Sequence, residues 1–159
     1  MHLACTGRPK AREVLAELLW EERSLSRSLS NLRVALSSLR KKVGPYVAIS
    51  RDAVAVNPEA EVWLDIAELE RELAAARSQR QQVTTGAVEQ LQRAVELYHG
   101  DFLEGFYVRG SEGFDNWMVL ERERVRAIHE QSMQLLLEVP CEILGGTAGR
   151  LNRPDQGKR

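Results

Sequence analysis

Five cations and no acid lie within RSLSNLRVALSSLRKKVG, residues 27–44, and no Asp or Glu occurs between Glu22 and Asp52. The polar residues among those cations are short: Ser28, Ser30, Asn31, Ser37 and Ser38. On a helical wheel with Leu32 at zero, Ser26, Arg27, Ser30, Val34, Ser37, Ser38 and Lys41 fall between about 120° and 240°, and Arg33 and Arg40 flank that arc. Short side chains let a helix axis approach a partner closely, and cations at the edges of the face can reach phosphates. An α-helix fits the major groove of B-DNA, where Arg, Asn and Ser can all engage base edges. A merely solvated face mixes signs for i,i+4 pairing, which this one does not. A coiled coil needs three or more heptads, and Gly44-Pro45 cuts the stripe at fewer. The chemistry these residues suit is contact with a polyanion, double-stranded DNA first among them.

Such a face must be carried by a helix with its back against a core. Leu25, Leu29, Leu32, Leu36, Leu39 and Val43 are spaced 4, 3, 4, 3 and 4 apart, a narrow apolar stripe on a helix ending near Val43 with Gly44-Pro45 as its stop. Upstream, AREVLAELLW places Val14, Leu15, Leu18 and Leu19 on one face of a short helix that ends at Trp20. Downstream, YVAIS and AVAV are β-branched runs separated by Arg51-Asp52 and predict a hairpin with Arg51 at its tip. Helix, turn, longer helix and hairpin are the order of a helix-turn-helix with a wing.

Beyond NPEAEVWLD the pattern turns helical throughout. Asp65 is a good N-cap for IAELERELAAA. Thr84 or Thr85 opens a helix to about Tyr98 with Val88, Leu91, Val95 and Tyr98 inward. Phe114, Trp117, Leu120, Val125, Ile128 and Leu135 mark a long third helix. Trp63, Phe102, Phe106, Phe114 and Trp117 are expected to pack in the core. The expected division is a partial winged helix at 1–58, a helical module at 59–139 and a poorly ordered tail at 140–159. Charge divides along similar lines. Residues 1–57 carry 10 Lys or Arg against 5 Asp or Glu, residues 58–139 carry 8 against 16, and the last 20 carry 4 against 2. A basic front and an acidic middle imply different partners.

The chemistry these residues exclude is as informative. No apolar run approaches the roughly 20 residues that cross a bilayer, and MHLACTGRPK has no signal-peptide h-region, so a cytoplasmic protein without membrane attachment is expected. Cys5 and Cys141 lack metal or redox spacing and read as isolated reduced thiols. His2, His99 and His129 are isolated from one another and from cysteine, so no metal or other cofactor is expected, and His99 suits a helix end. Glu68 with Glu72, and Glu121 and Glu123 with Arg122 and Arg124, read as solvated faces and local ion pairs. With no phosphate loop and no nucleophile elbow, an enzyme is not expected.

Taken together, REVLAELLW, SNLRVALSSLRKKVGPYV, EVWLDIAELERELAAA and AVELYHGDFLEGFYVRGSEGFDNWMVLERERVR resemble the bacterial transcriptional activator domain (BTAD) proteins, including antibiotic regulatory protein (SARP) activators. The likeness runs from about Gly7 to Leu137. It implies a mainly α fold: a winged helix-turn-helix, truncated here at its start, followed by an all-helical, tetratricopeptide-like BTAD module. The opening MHLACTG resembles the end of the family's first helix, which implies missing cover for part of the leucine stripe. Helices that follow QSMQLLLEV in the family are replaced by a tail with none of its motifs. The recognition helix would fall on Ser28 to Val43, with Asn31, Arg33, Ser37 and Arg40 matching its pattern and Leu32, Leu36 and Leu39 its core. Ser38 stands where the family more often has a basic residue.

The resemblance also implies promoter DNA binding and RNA polymerase recruitment, with a homodimer among the expected assemblies. The expected DNA-binding set is Arg27, Ser30, Asn31, Arg33, Val34, Ser37, Ser38, Arg40, Lys41 and Arg51. In the acidic segment, Glu61, Glu68, Glu72, Glu121 and Glu123 could form a face for a basic partner. The alternative reading is a protein-interaction adaptor, or an inhibitory fragment of a larger regulator, that does not bind DNA. Salt dependence of duplex binding separates the two.

Overall fold

The leucines spaced three and four apart build the longest helix of the N-terminal region. The computed structural model describes residues 1–78 and 84–139. Its elements are α1 (His2–Thr6), β1 (Lys10–Ala11), α2 (Arg12–Trp20), α3 (Leu25–Val43), a 3-10 turn (Gly44–Tyr46), β2 (Val47–Ile49), β3 (Ala53–Val56), α4 (Asp65–Ser78), α5 (Thr85–Glu96) and α6 (Glu112–Leu137). The fold is mainly α, with the helix-turn-helix and hairpin order of a winged helix ahead of a helical module. The expected tail at 140–159, with Cys141, lies outside the described residues.

The chain divides into two compact units. Met1–Leu64 and Asp101–Glu123 form one, and Asp65–Gly100 with the residues from Arg124 onward form the other. α6 therefore contributes its first half to one unit and its second half to the other, an interleaving that a linear reading of charge and periodicity does not contain.

In the first unit, Leu32 and Leu36 of α3 are 2% and 6% exposed and pack with Leu15, Ala16 and Val54. Leu3, Trp20, Leu29, Leu39 and Ile49 are partly buried against that cluster, so α1 supplies cover to the stripe through Leu3. Only the stripe's first leucine, Leu25, is exposed. On α2 the buried pair is Leu15 and Ala16 while Val14 faces solvent, which rotates the inward face away from the one the sequence pattern suggests. The hairpin forms in the register Val47↔Val56, Ala48↔Ala55 and Ile49↔Val54. β1 adds a third strand against β3, giving the order β1-β3-β2. At the stop of α3, Gly44 is not in the left-handed conformation, since its φ is −47°. Pro45 instead opens the 3-10 turn, and Asn57 ties the turn down by donating from Nδ2 to the Pro45 carbonyl at 2.8 Å.

α2 also ends without a left-handed glycine, leaving carbonyls of its last turn in need of donors. The Arg23 amide donates to the Trp20 carbonyl at 3.1 Å, and two buried serines add to it. Ser28 Oγ donates to the Trp20 carbonyl at 3.0 Å, and Ser111 Oγ donates to the Leu18 carbonyl at 3.0 Å. Gly113 lies close by: a Cβ there would sit 3.1 Å from the Leu18 carbonyl oxygen, so α6 starts against the end of α2 at a distance that only glycine allows comfortably. Ser111→Ala is expected to lower stability by about 1 to 2 kcal/mol, the typical penalty for leaving a buried acceptor unpaired. Urea denaturation measures it, and an unchanged midpoint would mean that the hydroxyl does not hold α2 to α6.

The first half of α6 buries Phe114 and Met118 in this unit, and Trp117 meets Phe102 edge to face at 5.6 Å. Not every apolar residue expected in the core is there. Leu120 is 70% exposed, Trp63 is 68% exposed and Phe106 is half exposed.

In the second unit, Leu73, Ala76 and Leu91 form a cluster flanked by Ile128, Leu135 and Leu136. α5 begins as its sequence suggests, Thr84 Oγ1 accepting from the Ala87 amide at 3.2 Å. Asp65 is the first helical residue of α4 rather than its cap, and its Oδ1 accepts from the Ile66 amide.

Candidate nucleic-acid interface

α3 is held by the side that carries Ser28, Leu32 and Leu36, all buried. That anchoring fixes which residues point outward. Arg27, Ser30, Arg33, Val34, Ser37, Ser38, Arg40 and Lys41 are exposed along the helix, and Asn31, at the edge of the face, is half-buried. Arg51 is exposed in the turn between β2 and β3. That turn is held in place: Ser50 Oγ accepts from the Ala53 amide at 3.0 Å, and Arg12 donates from Nη1 to the Arg51 carbonyl at 3.2 Å.

The electrostatics of the face differ from those of the helical module. In the second unit Arg71 bridges Glu68 and Glu72, Arg93 reaches Glu72 at 3.3 Å, and Arg124 pairs with Glu70. Among the described residues, Arg27, Arg33, Arg40, Lys41 and Arg51 have no ion-pair partner. Helix stability accounts for some of this charge, because Arg40, Lys41 and Lys42 occupy the last turn, where cations favour the macrodipole. It does not account for Arg27. As the third residue of α3, Arg27 stands at the positive end of the dipole, where a cation is unfavourable, and no acid in that first turn compensates it.

Helical geometry puts Ser28 at about 320° from Leu32, inside the leucine stripe, so its burial follows from position though not from residue type. Lys42 lies near about 280° on the same wheel, and it is exposed next to Lys41. It extends the basic surface beyond the expected set.

Two of the acids expected on an exposed face, Glu68 and Glu72, are engaged within the second unit. Glu72 is 5% exposed and held between Arg71 and Arg93, and Glu68 is paired with Arg71. Burial pushes the Glu121 carboxyl above its ordinary range. Arg122, expected in a local ion pair, instead donates from Nε to the Phe102 carbonyl and from Nη2 to the Leu103 carbonyl, both at 2.8 Å. The Nδ1 of His99 lies 3.0 Å from the Leu97 carbonyl, and His129 stacks on Tyr98 with ring centroids 4.2 Å apart. Among the described residues no group of three or more His, Cys, Asp or Glu could hold a metal ion, and no helix is long and apolar enough to cross a membrane.

Residues 64–149, more than half of the chain, match the family model described as bacterial transcriptional activator domain. The match extends past Val139 into the stretch expected to be a tail without the family's motifs, while residues before 64 lie outside it. No curated protein matches the chain.

Proposed function

The chain belongs to the bacterial transcriptional activator domain family, and from that premise we propose that it is a DNA-binding transcriptional regulator that catalyses no reaction. α3 docks in the major groove, its short side chains admitting the helix axis and Arg27, Arg33, Arg40 and Lys41 reaching phosphates or base edges. Arg51, at the tip of the hairpin, meets the backbone or minor groove beside it. The helical module makes the protein contacts of an activator, to RNA polymerase or to a second copy, and the protein works in the cytoplasm. The reading follows the SARP type of activator in placing the DNA-binding unit ahead of the helical module.

The observation that carries this reading is the line of exposed cations on α3 that have no ion-pair partner among the described residues, beginning at the helix end where charge of that sign is unfavourable. Fluorescence anisotropy against a pool of duplexes, titrated at rising salt with circular dichroism to confirm folding, tests it. A reader that neutralises four or more phosphates should show log K falling against log salt with a slope of about −3.6 or steeper. A folded chain with no salt-sensitive binding would overturn the reading in favour of an adaptor that does not touch DNA.

A further inference from the structure

One residue on the outward face of α3 can neither hydrogen-bond nor carry charge through its side chain and yet stands at the centre. Val34 is 70% exposed. Ser30 lies one turn before it, Ser37 and Ser38 one turn after, and all three are exposed. Arg27 and Lys41 stand seven residues to either side on the same face, about 10 Å along the axis at the helical rise. A major groove about 12 Å wide fits between them, with base edges beneath the middle of the span and phosphates inside its ends, where long cationic side chains can reach back to them. A β-branched residue has no helical advantage at a solvated position and leaves apolar surface in water. The apolar group that base edges present in the major groove is the C5-methyl of thymine.

We propose that Val34 is a specificity-determining residue that packs on a thymine methyl group, so that the face selects a thymine at one position by apolar contact while its cations hold the backbone. This rests on the DNA-binding reading above. The short hydroxyl side chains around Val34 serve the contact by letting its two methyl groups reach the base edges.

The test uses the full chain and its Val34→Ser variant, in which an exposed helical position exchanges one ordinary helix former for another. Each selects duplexes from a randomised pool, and every thymine in the parent's preferred duplex is then replaced in turn by deoxyuridine, which lacks only the methyl group. At one position the replacement should weaken parent binding about fourfold, the worth of one buried methyl, and leave Val34→Ser unaffected. Salt slopes of the two proteins should agree, since no phosphate contact is altered. Salt-sensitive parent binding with no deoxyuridine-sensitive position, or with equal sensitivity in Val34→Ser, overturns the assignment of Val34 and leaves the DNA-binding reading standing. A folded parent that binds no duplex overturns both.

Discussion

With Arg33 and Lys41 both replaced by alanine, affinity for duplex DNA at moderate salt should fall roughly a hundredfold, about tenfold for each lost charge-assisted contact to a phosphate. The slope of log K against log salt should become shallower by about 1.8, because two fewer phosphates are neutralised at about 0.9 each. Both side chains are exposed and form no ion pair among the described residues, so folding should be nearly untouched. Lys41 contributes a few tenths of a kcal/mol to the helix end, which is small beside the change in binding. A control that removes the same charge elsewhere, Arg77→Ala with Arg109→Ala, separates a located contact from general attraction, since both residues are exposed and lie off α3. Parent-like binding by Arg33→Ala/Lys41→Ala would mean that α3 is not the recognition surface. An equal loss in the control would mean that net charge, rather than this face, governs affinity.

The face was legible in the sequence because a helix with one buried stripe has only one way to turn. Leu32 and Leu36 fix the rotation, and everything about half a turn away from them follows. The hairpin was legible for a similar local reason, β-branched runs on either side of a polar pair. What stayed hidden depends on distant partners. β1 is two residues long, too short for any alternation, and exists because Lys10 and Ala11 pair with Val54 and Ala53 more than forty residues later. Ser111 and Gly113 carry no signal of their own, and their meaning comes from the end of α2, 93 residues before Ser111 in the chain. Residue type misled where it stood in for position. Trp63 and Phe106 are aromatic but exposed, Glu72 is charged but buried, and Ser28 is polar but faces the core.

The interleaving of the two units follows from the same long-range contacts. The stretch WMVLERER begins in the aromatic cluster of the first unit, where Trp117 meets Phe102 and Phe114. Arg124, two residues after Arg122, pairs with Glu70 in the second unit. Sequence periodicity along α6 is continuous across that point, so a reading based on periodicity alone assigns the helix to one module. The contacts of individual side chains divide it.

Arg122→Ala should lower stability by about 3 kcal/mol, the second large effect expected. Its guanidinium makes two hydrogen bonds of 2.8 Å to the Phe102 and Leu103 carbonyls, and bonds from a charged donor contribute about 1.5 to 3 kcal/mol each before the acceptors find water. Leu103 is also the one non-glycine residue with positive φ among the described residues, at 50°. That conformation costs roughly 1 kcal/mol or more for a residue with a Cβ, so the clamp holds a turn that would otherwise relax. The two sequence motifs DFLEGFY and WMVLERER are thereby joined through one side chain. Urea denaturation gives the loss, and hydrogen exchange gives its location: the Phe106 amide, which donates to the Leu103 carbonyl at 3.0 Å, should exchange faster in the variant. Arg122→Lys should recover only about half, because a single ammonium lacks the planar fork that spans two carbonyls. Full recovery by lysine would assign the effect to charge alone, and an unchanged midpoint with unchanged exchange in Arg122→Ala would mean that the turn stands without its clamp.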